Sequence, residues 1–158
     1  GNIYTASILD DLEAIAPVKA AGSLDRDKPS HGDSRVEEKQ LLEVDGHTVG
    51  VIHDLSVPGF GDRVYPGSLK RRSNPAYPGL PFKDGKSIVP DDVFGKPVDI
   101  VVFGHTCFAM IEEYGDLMII NPGSPTLRNE LRKIGTVGIL DLSPGKREAN
   151  IIDLAELA

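Results

Sequence analysis

Hydrophobic and polar positions divide the chain into a helical start, an irregular middle and a strand-rich second half. Ile8, Leu9, Leu12 and Ile15 recur at helical spacing and predict a short helix over Ile3–Ile15. Thr5 or Ser7 is placed to cap it, Asp10 and Asp11 fall where the helix dipole favours negative charge, and Pro17 stops it. A short strand is expected over Val18–Ala21, ending at Gly22, and residues 25–38 are polar enough to read as a surface loop. Two β-type runs, Gln40–Val44 and His47–His53, flank Asp45-Gly46. An Asp-Gly pair between such runs predicts a hairpin, because a type I′ turn needs positive φ at both central residues.

From Leu55 to Gly85, Phe60, Tyr65, Tyr77 and Phe82 punctuate a stretch rich in Gly and Pro. Four aromatics are more than a flexible linker carries, so this segment is expected to be an ordered surface insertion. A short helix is expected over Val89–Phe94. The best strand is Val98–Phe103, followed by Ala109–Tyr114 and Leu117–Ile120 joined at Gly115-Asp116. Asn121-Pro122-Gly123-Ser124-Pro125 reads as a turn, and Thr136–Leu142 and Ala149–Asp153 as a last hairpin around Pro144-Gly145. The pattern suggests two layers of sheet with helices outside, an α/β sandwich.

The 158 residues fit one domain, with enough apolar content (40%) to fold without disulfides or structural metal. A net charge of −7 argues against nucleic acid or an anionic membrane as the main partner. The single cysteine, Cys107, excludes an intramolecular disulfide. With no signal peptide and no apolar run of membrane-spanning length, a cytoplasmic setting is expected.

The segment richest in chemistry is Val101-Val102-Phe103-Gly104-His105-Thr106-Cys107. A buried strand ends, a glycine lets the backbone turn, and a histidine is presented at the carboxyl edge, where α/β sheets place ligands. A lone histidine is by default a satisfied loop or core residue. His31, Asp33 and His47 are read that way, as solvated loop residues, and Arg128, Arg132 and Lys133 as a solvated charged face. Ser124 lacks the context of a hydrolase nucleophile and is read as part of the turn.

Asp99–Thr106, then strand, turn and strand, then Ile119–Thr126 with its Asn-Pro-Gly-Ser turn, resembles the calcineurin-like metallophosphoesterase superfamily. The likeness is to its small branch, which contains bacterial and archaeal phosphodiesterases and the metallophosphoesterase-fold subunit of retromer. Gly1-Asn2-Ile3 aligns with the family's Gly-Asp motif, Val18–Asp25 with the strand ending in Gly-Asn-x-Asp, and Val51-Ile52-His53 with the strand that delivers a histidine ligand. The resemblance implies one domain over residues 1–158, with 55–85 inserted, and a two-sheet α/β sandwich of the metallophosphoesterase type. The Asp-x-His motif of the family's first strand is not in the sequence, so the expected sandwich lacks that strand.

The resemblance also implies a centre of two divalent cations (Mn, Fe, Zn or Ni) and phosphodiester hydrolysis. Of the ligand positions, His53 and His105 keep the family's residue type, and both belong to the same half of the centre. Asn2 replaces the bridging aspartate, Ser23 the asparagine ligand and Cys107 the last histidine. Cys107 can be a zinc thiolate or a small buried residue, the latter being preferred. Leu24 stands where relatives place a proton donor, and Asp25 matches an acidic position or serves the turn. Gly104, Asp25, Asn121, Gly123 and Ser124 are expected to line the site. The expected function is therefore a metal-dependent phosphoesterase with a degraded centre and weak or absent turnover, taking a small phosphate ester. The alternative is a non-catalytic scaffold on the same fold, using residues 57–82 against a protein partner or a second copy.

Overall fold

The computed structural model describes residues 3, 5–22, 32–56, 63–69, 93–125 and 135–157. Among these, the central feature is a five-stranded mixed sheet. Its strands are β3 (Lys39–Val44), β4 (His47–Ile52), β5 (Ile100–Phe103), β6 (Met110–Tyr114) and β7 (Leu117–Asn121), in the order β3-β4-β5-β7-β6. β4, β5 and β7 run parallel, and β3 and β6 close the edges antiparallel. The hairpin turns follow from local chemistry. Asp45 and Gly46 both adopt positive φ (48° and 83°), as a type I′ turn demands, and Gly115 (φ 60°) opens the β6–β7 turn.

Both faces of this sheet are covered, which explains why β5 and β7 are nearly all apolar. On β5, Val101 and Phe103 point to one face, with Leu55, Val64, Leu69, Met110, Leu117 and Ile119. Ile100 and Val102 point to the other, against Leu140, Leu142 and Ala149. Those last residues come from a separate hairpin, β8 (Thr136–Ser143) and β9 (Lys146–Asp153), followed by a 3-10 helix over Leu154–Leu157. Two sheets packed face to face with few helices make an α/β sandwich.

A smaller unit pairs β1 (Ala20–Ala21) in parallel with β2 (Val36–Glu37). The buried Gln40 ties it to the large sheet by donating its side-chain amide to the Ala20 and Arg35 carbonyls at 2.9 and 3.1 Å.

Several sequence expectations need correction. Helix α1 spans only Ser7–Glu13, and its N-cap is Ala6, with no side-chain capping bond. Of its apolar stripe only Leu9 is buried, while Ile8, Leu12 and Ile15 are 45%, 47% and 85% exposed. Strand β2 lies inside the segment read as loop. Asp33 is not solvated there: both its oxygens bind Arg35, which also reaches Asp10 and Glu13 on or beside α1. Chiefly through that side-chain bond, Arg35 holds the Asp33 carboxyl down at about 2, against an ordinary 3.8. The middle segment is not all surface either, because Leu55, Val64 and Leu69 are 0% exposed. Buried Glu112 on β6 fixes that segment by accepting from the Gly67 backbone N–H at 2.6 Å and from the Tyr114 hydroxyl. The helix expected over Val89–Phe94 and His31 lie largely or wholly outside the described residues, as do Arg128, Arg132 and Lys133. No helix among the described residues is long and apolar enough to cross a membrane.

Candidate functional site

Parallel strands β4 and β5 end side by side, and each delivers a histidine just past its last residue. The Gly104 N–H donates to the His53 carbonyl at 3.0 Å, extending the ladder by one bond and setting the two loops in register. The chain then turns sharply. The Thr106 N–H closes on the Gly104 carbonyl at 2.7 Å, with His105 between them at φ 63°. A one-residue turn with positive φ is rare and strained for a side-chain-bearing residue. Cys107 also has positive φ, at 56°.

Asn121, at the end of β7 and 0% exposed, holds this strained loop. Its amide donates to the Gly104 carbonyl (3.2 Å) and the Thr106 hydroxyl (3.0 Å), while its oxygen accepts from the Gly123 N–H (2.9 Å). The Asn-Pro-Gly-Ser turn is thus the brace for the histidine turn. Gly123 (φ 83°) allows its bend, and the Ser124 carbonyl accepts from Gly135 and Thr136 at the start of β8.

The brace brings the two histidines together. His105 Nδ1 lies 3.2 Å from His53 Nε2. The other His105 nitrogen, Nε2, faces Asp54 Oδ2 at 3.7 Å, and Arg63 Nε lies 3.6 Å from the same oxygen. Asp54 Oδ1 is buried without a hydrogen-bond partner among the described residues. Cys107 is half-buried and directs its thiol to the His105 carbonyl at 3.5 Å. Of the expected positions, His53, His105, Gly104, Cys107, Asn121, Gly123 and Ser124 are therefore neighbours in space or in the same two loops. Asn2, Ser23 and Asp25 lie outside the described residues. Asp54 and Arg63 were not expected here; the one sequence signal was that Asp54 directly follows His53.

Can these residues hold a divalent cation? Two imidazole nitrogens that ligate one tetrahedral cation at about 2.0–2.1 Å stand roughly 3.3 Å apart. The observed 3.2 Å is that spacing, so the pair fits part of one coordination shell. Among the described residues no group of three His, Cys, Asp or Glu side chains gathers to complete it.

A second histidine needs correction. His47, at the start of β4, is half-buried rather than solvated. Its Nε2–H donates to the Ser143 carbonyl at 3.1 Å, and its Nδ1 lies 3.8 Å from Asp99 Oδ2. It lines an open cleft with Asp99, Asp116, Gly145 and Arg147 at the opposite end of the sheet.

Comparisons with known proteins agree with the fold. A probable metallophosphoesterase of Methanocaldococcus jannaschii is 30% identical over 162 residues, covering 99% of this chain and 65% of that protein, so the chain spans less than two thirds of this relative. The Entamoeba histolytica Vps29 structure with zinc superposes with a TM-score of 0.52 at 18% identity, covering 98% of this chain and 79% of that one. A structure of an archaeal phosphodiesterase gives a TM-score of 0.51 at 17% identity, covering 94% and 78%. The family model for the calcineurin-like phosphoesterase superfamily domain matches residues 1–145, nearly the whole chain, and the chain therefore belongs to that superfamily.

Proposed function

We propose that His53 and His105 hold a single divalent cation (Mn, Fe, Zn or Ni) at the carboxyl rim of the sheet. On this reading the chain is a phosphoesterase by family, acting on small phosphate esters with weak or no turnover. The observation that carries the proposal is the 3.2 Å approach of the two imidazole nitrogens, in a loop strained at His105 and braced by Asn121. The names of its relatives support it: one is a probable metallophosphoesterase, another a phosphodiesterase.

When bound, such a cation supplies positive charge for a phosphoryl oxygen. The chain's residues supply the rest. Asn121 keeps the histidine turn rigid, Gly123 steadies Asn121 through its backbone N–H, and Arg63 offers a partly exposed positive charge at the rim. Weak turnover follows from the substitutions. Asn2 carries no charge where the family has a bridging carboxylate, and Ser23 and Cys107 replace two further ligands. Without that negative charge, little offsets the cost of dehydrating a second cation.

Zinc titration of the purified chain should give one site that disappears in His105→Ala. Hydrolysis of bis-p-nitrophenyl phosphate with added manganese should be barely above background. Robust hydrolysis that depends on His105 would overturn the weak-turnover reading, and absence of zinc binding would overturn the site.

A second reading, a non-catalytic module that binds a protein partner or a second copy, has its own observation. Ile8, Leu12 and Ile15 form an exposed apolar stripe on and just after α1. Sizing of Ile15→Lys beside the unsubstituted chain tests it; self-association lost in the variant favours this reading.

A further inference from the structure

A neutral imidazole offers one lone pair, and the nitrogen that carries it is decided by the hydrogen bond the other nitrogen makes. At His105 the two nitrogens face different groups: Nδ1 looks at His53 Nε2 (3.2 Å), and Nε2 looks at Asp54 Oδ2 (3.7 Å). We propose that Asp54 is the positioning residue of the site: by accepting a hydrogen bond from the Nε2–H of His105, it fixes the tautomer whose Nδ1 lone pair points into the gap between the histidines. The value of that lone pair to a cation rests on the function proposed above; the tautomer assignment does not.

Three observations favour this role. First, Asp54 lies on the far side of the His105 ring from His53, so it faces the nitrogen that does not enter the gap. That is the arrangement of a carboxylate behind a ligating histidine, not of another ligand in the same shell. Second, Asp54 Oδ1 is buried with no hydrogen-bond partner among the described residues. The oxygen that faces His105, Oδ2, has His105 Nε2 and Arg63 Nε near it only at 3.7 and 3.6 Å, beyond hydrogen-bond distance, so the carboxylate as a whole has capacity for the imidazole N–H. Third, the other cation beside it, Arg63, approaches at 3.6 Å with a side chain 45% exposed, and an ion pair that open to solvent is weak. The present 3.7 Å is longer than a hydrogen bond. The Asp54 side chain is 36% exposed, which leaves it room to turn toward the imidazole. With this tautomer the cation-free pair is also satisfied, because His53 Nε2–H can donate to His105 Nδ1.

The test uses the intact chain labelled with ¹⁵N in its histidines, free of cation, at about pH 8, where imidazole is neutral. His105 is expected as the Nε2–H tautomer. Asp54→Ala should shift it to a mixture or to Nδ1–H, and Asp54→Asn, which keeps an acceptor oxygen, should largely retain it. Zinc affinity should fall about 10–100-fold in Asp54→Ala with thermal stability nearly unchanged. A His105 that is Nδ1–H in the unsubstituted chain, or a tautomer indifferent to Asp54→Ala, would overturn the assignment. If the tautomer depends on Asp54 but the unsubstituted chain binds no zinc, the assignment stands and the proposed cation site falls.

Discussion

Each end of the five-stranded sheet carries a histidine facing an aspartate, and the two pairs are built for different purposes. At the amino-terminal rim His47 faces Asp99 at 3.8 Å; at the carboxyl rim His105 faces Asp54 at 3.7 Å. Around the first pair the named groups are committed. His47 donates to the Ser143 carbonyl, and Asp99 Oδ2 accepts from the Thr48 N–H at 2.8 Å. Arg147 reaches from β9 to the carbonyls of Asp99 and Asp116. This rim is a clamp that fastens the β8–β9 hairpin to the large sheet. Around the second pair the backbone is strained at two side-chain-bearing positions of positive φ, His105 and Cys107, on either side of Thr106, and one carboxylate oxygen has no donor among the described residues. The same two residue types thus give stability where both side chains hydrogen-bond the backbone, and a candidate binding site where pairing is left incomplete.

The largest effect expected from breaking this contrast is at the clamp. Arg147→Ala leaves two backbone carbonyls without their charged donor. A hydrogen bond to a charged group contributes about 1.5–3 kcal/mol, but the Asp116 bond is exposed and the Asp99 carbonyl keeps the Met118 N–H, so the loss should be about 2 kcal/mol in urea unfolding. Zinc affinity should be unchanged. A variant as stable as the parent, or one that loses zinc binding, would show that the two rims are not separate.

How much of the contrast was legible beforehand depends on whether a signal is local. The Gly104-His105 turn, the Asn121 turn and the hairpin at Asp45-Gly46 each rest on adjacent residues with special backbone needs, and all appear where the sequence puts them. The clamp could not be read that way. His47, Asp99 and the hairpin that carries Ser143 and Arg147 are far apart in the chain; the pairing of β4 with β5 joins the first two, and the packing of β8–β9 brings in the others. Asp54 adjoins His53 in the chain, but its approach to His105, like that of Arg63 to Asp54, is set by the fold. Helix α1 fails differently: periodicity reports which face of a helix is apolar, not that anything covers it, and Ile8, Leu12 and Ile15 are left exposed. Strand β2 is only two residues long and owes its existence to pairing with β1 and to the amide of Gln40.

A smaller effect, opposite in sign at the two ends, sharpens the comparison. His47→Ala should cost about 1 kcal/mol, the usual net value of one hydrogen bond, and leave zinc binding intact. His105→Gly should abolish zinc binding. It should also raise stability by roughly 0.5–1 kcal/mol, because relieving positive φ outweighs the entropy of an added glycine. Paired thermal melts and zinc titrations of both variants read all four quantities. A His105→Gly chain clearly less stable than the parent would mean that His105 is there for packing, and the contrast between the rims would collapse.

The smallest effect concerns pH and again belongs to the amino-terminal rim. Glu43, near the end of β3, accepts from Lys96 and from the Thr48 hydroxyl. The Lys96 bond, then the Thr48 bond, hold its carboxyl below the usual 4.5. A carboxylate whose folded value is depressed adds stability above its unfolded value, and that stability is lost as pH falls through the folded one. The contribution should therefore be complete at neutral pH and fade only below about 4.5. Glu43→Gln should flatten that part of the acid limb slightly in a pH series of melts. Because the pair is exposed, its effect at neutral pH should be less than that of His47→Ala. Since Glu43 lies at the clamp end, the variant should leave the His105 tautomer and zinc affinity as they were. A change in either would mean that charge at one rim is felt at the other, through β4, the strand that begins at His47 and ends beside His53.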